Sequence, residues 1–114
     1  MELKKNMVDG VVTDTYALTI DIIAHGFADI VDGSVVFPAA VEANTPFDIL
    51  YDVKNTGTVQ DMLYGHLLDA DDNEIVGSDW TLVVDPDDTI TRSFTHPGIS
   101  GSTTFKIEVG HSPV

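Results

Sequence analysis

Apolar and polar residues alternate along most of this chain, most sharply from Phe47 to Thr58, FDILYDVKNTGT. Phe47, Ile49, Tyr51 and Val53 hold one parity; Asp48, Leu50, Asp52 and Lys54 hold the other. A period of two sends alternate side chains to opposite faces, so the stretch predicts a strand with four large apolar groups on one face. Asn55-Thr56-Gly57 ends it, because Gly tolerates positive φ and Asn can bond its own backbone.

The same logic extends in both directions. Met1–Asp14 is polar and lacks a clear period, which suits an arm or a loose first strand. Tyr16, Leu18, Ile20 and Ile22 alternate with Ala17, Thr19 and Asp21 as a strand, and His25-Gly26 interrupts them. Phe27–Val31 is a short apolar segment closed by the Asp32-Gly33 turn signal, and Val35-Val36-Phe37 stops at Pro38. Beyond Gly57, Met62, Tyr64, His66 and Leu68 share one parity, and Leu63, Gly65 and Leu67 the other. The turn cluster Asp69–Asn73 leads to Glu74-Ile75-Val76. Trp80, Leu82 and Val84 alternate up to Asp85–Asp88, and Ile90, Arg92 and Phe94 alternate within a Thr-rich strand. Arg92 spoils that apolar face unless it lies at an edge or snorkels outward. His96-Pro97-Gly98 turns the chain into a last strand with Phe105, Ile107 and Val109.

Short strands and turns recurring at this spacing, without a helical period, predict an all-β sandwich or barrel. The expected core is Phe47, Ile49, Tyr51, Val53, Trp80, Leu82, Phe94, Phe105 and Ile107. The expected division is an arm over residues 1–15 and one sandwich domain over 16–114.

Composition refines this picture. With 114 residues the prior is one domain, and 43% hydrophobic residues argue against general disorder. Cysteine is absent, so disulfides and thiolate metal sites are excluded. Nineteen acids against five bases give a formal net charge of -14, which repels nucleic-acid phosphates and favours cations or a basic partner. No apolar run approaches the ~20 residues of a membrane span. Asn6–Asp14 is too polar for a signal-peptide core.

From about Val35 to Val109 the chain resembles the CARDB group of immunoglobulin-like domains of bacterial and archaeal surface proteins. The resemblance rests on a strand ending in VKNTGT (Val53–Thr58) and a strand and hairpin LLDADDNEIVGS (Leu67–Ser78). A turn and Thr-rich strand, DPDDTITRSFTHPG (Asp85–Gly98), and a final TTFKIEV (Thr103–Val109) complete it. With the strand pattern it implies an all-β, immunoglobulin-like antiparallel β-sandwich of about seven to nine strands with an N-terminal extension. It also implies an adhesion-type role, and it carries over no catalytic residue. Met1–Gly33 exceeds the family core and departs from a plain adhesin domain.

Candidate chemistry is sparse. Asp69, Asp71 and Asn73 fall at i, i+2 and i+4, as at the start of a calcium loop. An EF-hand loop wants Gly and Glu where this chain has Glu74 and Trp80, so that reading fails. A weaker Ca²⁺ site shared with Asp85, Asp87 and Asp88 stays open beside an ordinary polar turn. His25, His66, His96 and His111 are scattered without zinc-site spacing. Ser93, Ser100 and Ser102 lack a G-x-S-x-G setting, and the glycines form neither GxGxxG nor a P-loop. Trp80 reads as a core anchor between sheets rather than a ligand platform.

The expectation is therefore a non-enzymatic structural or assembly module without a cofactor. It would be a subunit of a repeating surface assembly such as a virion or extracellular filament, its partners being copies of itself or other subunits. A cell-surface adhesion or ligand-binding module is the alternative. Lys4, Lys5, Val11 and Val12 are the expected contacts of the arm.

Overall fold

The strand that the alternation marks most plainly lies at the centre of the smaller of two sheets. The computed structural model describes residues 15–111, and these form eight strands and no helix. They are β1 (Thr15–Ala24), β2 (Ala28–Ile30), β3 (Ala40–Glu42), β4 (Phe47–Asn55), β5 (Asp61–Leu68), β6 (Trp80–Val84), β7 (Thr89–His96) and β8 (Thr103–His111). One sheet has the order β3-β1-β8-β5-β6 and the other β2-β4-β7. The fold class is the expected all-β sandwich.

It is not wholly antiparallel. β1 runs parallel to β8, from Leu18 opposite Thr103 to Ala24 opposite Val109. Alternation reports which face a residue takes but not which way its strand runs. A parallel pair needs a long connection, and here nearly the whole domain lies between the two strands.

The core fills the space between the sheets. Ile49, Val53, Leu63, Leu67, Ile107 and Val109 are completely buried, joined by Tyr51, Phe47, Phe105, Leu18, Ile30 and Val84. Phe47 and Phe105 meet across the gap with ring centroids 6.1 Å apart. In β5 the inward parity belongs to Leu63, Gly65 and Leu67.

Three core expectations need correcting, and sheet width explains them. Five strands face three, so the larger sheet overhangs on both flanks. Leu82 pairs with fully buried Leu63 and shares its face, yet it is 40% exposed in the middle of edge strand β6, while Val84 at the strand end is buried. Ile22 pairs with buried Ile107 and is 53% exposed on the opposite flank. Trp80 and Phe94 are half-buried at the rim, packed against the core rather than inside it.

At that rim Trp80 Nε1–H donates to the Tyr51 hydroxyl at 2.8 Å, linking the sheets. Arg92, inward on edge strand β7, lays its guanidinium 5.0 Å from the Trp80 ring centre. The strand edge and the cation–π contact together make a basic residue tolerable on an apolar parity. Gly65 is needed beneath this arrangement, since a Cβ there would come within 2.7 Å of the indole.

The short segments also differ from expectation. Val36 makes only an isolated bridge to Leu50, as does Glu74 to Leu68. β3 carries too few alternating residues to be read from sequence.

Candidate functional site

The densest group of interacting titratable side chains is a row on the outer face of the five-stranded sheet. Inward Leu67 and Ile107 force their neighbours His66 and Glu108 outward, and register places those two directly opposite each other. His66 Nε2 lies 2.6 Å from Glu108 Oε1, and His66 Nδ1 lies 2.7 Å from Glu74 Oε1. His25, just past β1, brings Nε2 to 3.2 Å from Glu108 Oε2. Both nitrogens of His66 thus face carboxylates, which suits the doubly protonated ring.

Partial burial pulls the His66 pKa down, but the hydrogen bonds and charges of Glu108 and Glu74 outweigh it and leave the pKa raised. Glu108 is held below its ordinary value, chiefly by the hydrogen bond from His66. His96 behaves oppositely: burial against Phe47, with ring centroids 5.1 Å apart, lowers its pKa. Its Nδ1 accepts the Gly98 N–H at 3.0 Å, which requires that nitrogen to be unprotonated.

These directions fix a pH dependence. A raised His66 contributes stability that is complete below its unfolded value near 6.5 and lost as pH rises through the folded value. A lowered Glu108 contributes stability present above about 4.5 and lost as pH falls through its folded value. A lowered His96 contributes stability present above about 6.5 and lost as pH falls through its folded value. Thermal melts should therefore show Tm falling as pH rises above about 6.5, and His66→Gln should flatten that limb. The effect is modest and weakens with salt, because the row is partly solvated. An unchanged slope in His66→Gln would assign the limb to another group.

The sequence-derived metal candidates close a turn. Asp69 Oδ1 accepts the backbone N–H groups of Asp71 at 2.8 Å and Asn73 at 3.0 Å, and Asp72 pairs with Lys106. The Asn73 N–H above all, with that of Asp71, holds the Asp69 pKa down. Asp85, Asp87 and Asp88 lie in the separate β6–β7 turn, where Asp87 N–H donates to the Asn55 carbonyl. Among the described residues no three His, Asp or Glu side chains converge on a common point suited to a metal ion. Lys4, Lys5, Val11 and Val12 lie outside the described residues.

The other distinctive surface is β6, an edge strand of its sheet among the described residues. Leu82 on its inner face and Val83 on its outer face are 40% and 50% exposed, and Met62 stands opposite Val83 on β5. A shallow hollow of about 240 Å³ lined by Gln60, Asp61, Met62 and Val83 lies beside them. Trp80–Val84 carries no charge in a chain of net charge -14.

Sequence reasoning noticed His66 but missed Glu108 and Glu74, whose importance depends on cross-strand register. The outward parity of Glu108 was the available signal. No helix among the described residues is long and apolar enough to cross a membrane. Comparison with protein-family models, with curated proteins and with solved structures found no match.

Proposed function

We propose that the chain is a non-catalytic structural subunit that associates with copies of itself in a repeating surface assembly, such as a virion or an extracellular filament. The observation that carries this reading is the β6 edge. Among the described residues its backbone is unpaired on one side, and it exposes Leu82 and Val83 on opposite faces. Natural edge strands are usually blunted by charge, proline or a covering element. Trp80–Val84 itself contains neither charge nor proline. Acidic copies repel one another over most of their surface, and an uncharged strand edge is where they can meet. The arm of residues 1–15 places two of the five basic side chains of the chain, Lys4 and Lys5, beside Glu2, Asp9 and Asp14, so it is far less acidic than the body and adds little to the repulsion between copies.

An adhesion or ligand-binding role is the second reading. The CARDB resemblance supports it, as does the polar outer face of the smaller sheet, where Thr91 and Thr95 donate to Asp52 and Asp48.

Solution mass against concentration separates the two. The full chain should associate, more so as salt screens the acidic bodies. Leu82→Glu combined with Val83→Glu should return it to monomer with its fold intact. A full chain that remains monomeric at millimolar concentration overturns the assembly reading and leaves the adhesion one.

A further inference from the structure

In immunoglobulin-type sandwiches one sheet contains strands C, F and G. β5 and β8 take the C and F places as antiparallel neighbours, and the place beyond β8 is held by β1, the first strand described, running parallel. We infer that β1 is an exchangeable strand, able to leave its own slot and fill the same slot in a second copy of this chain.

This deepens the assembly reading and rests on it. The slot beside β8 is complementary to β1 wherever that β1 originates, because every register pair from Leu18–Thr103 to Ala24–Val109 is the same in either copy. What favours the strand of the same chain is only the connection to β2, and that connection is short and tight. His25 N–H is tied to Val109 O at 3.0 Å and Phe27 O to Thr56 N–H at 2.8 Å, which leaves Gly26 to make the turn. Gly26 has φ +68°, and a Cβ there would lie 2.0 Å from His111 Cδ2. A hinge this short favours exchange, since Gly26 can change conformation freely while all strand contacts are remade in the second copy.

β1 is also the cheaper of the two strands to release. Leu18 is its only buried core residue, Ile20 is half-buried and Ile22 half-exposed, whereas β8 buries Phe105, Ile107 and Val109. The single charge of β1 is Asp21, which stands opposite Lys106 of β8, so the strand enters an acidic neighbour with its charge matched. An emptied slot would expose the β8 edge and the core behind it, so a second copy has reason to occupy it.

The absence of cysteine makes the test clean. Thr19 and Thr104 are register partners on the outer face. Full-length Thr19→Cys and Thr104→Cys chains are mixed, unfolded, refolded together at high concentration and treated with a short bis-maleimide. Exchange yields a product of twice the chain mass, bridged from position 19 of one chain to position 104 of the other. The double variant, refolded dilute, should cross-link within one chain and confirm the register. Adding Gly26→Val to both partners disfavours the closed turn and should raise the two-chain product several-fold. Association by mass without that product overturns the exchange and leaves the assembly reading standing. No association at any concentration overturns the assembly reading itself. A Gly26→Val chain that melts lower yet gives no more two-chain product also overturns the exchange.

Discussion

Asn55→Ala is expected to lower the unfolding free energy by about 3–5 kcal/mol, among the largest effects of any single polar substitution in this chain. Asn55 is completely buried at the end of β4. Its Nδ2 donates to Val84 O at 2.8 Å and Val59 O at 3.0 Å, and its Oδ1 accepts Gly57 N–H at 2.8 Å. One side chain therefore fastens β4 to the end of β6 and to the loop that leaves β4. Alanine would strand two carbonyls and one N–H, each costing about 1–3 kcal/mol where water cannot reach. The measurement is a shift of the urea midpoint at constant m-value. Thr58→Ala, exposed three residues away, is the control and should stay within about 0.5 kcal/mol. A loss below about 1 kcal/mol at Asn55 would mean that the site is open to water.

Ile49→Ala should cost about 2–5 kcal/mol, and Ile49→Val about 0.5–1.5 kcal/mol. Ile49 is completely buried at the middle of β4, opposite Phe94 in β7. Leu82→Ala removes a side chain of the same size from the same apolar parity of a strand, but one lying on the overhang. It should cost clearly less than Ile49→Ala, because a half-exposed site leaves no closed cavity. Equal losses at the two positions would show that β6 is covered.

That contrast marks what the sequence could reveal. Phe47, Ile49, Tyr51 and Val53 were readable because a period of two is a local property, and all four are buried. Leu82 has the same local signature and a different fate, since its exposure depends on how many strands the opposite sheet contains. Asn55 was legible as a turn residue but not as a bridge, for Val84 and Val59 reach it only through the fold. His66 was visible as a histidine in mid-strand. Its raised pKa could not be foreseen without the register that sets Glu108 opposite it. Lys4, Lys5, Val11 and Val12 remain sequence expectations.

The pairing of the first described strand with the last has a consequence for folding time. The two strands that complete the larger sheet are about 85 residues apart, so their contact closes a loop spanning almost the whole domain. Such non-local closure places the chain among slow-folding β-proteins, on a timescale of roughly milliseconds to seconds. On a ribosome, β1 emerges early, yet it has no partner until β8 has been made some seconds later at about 5–20 residues per second. Until then β4, β5 and β7 can collapse without it, so the larger sheet is the last part of the domain to be completed.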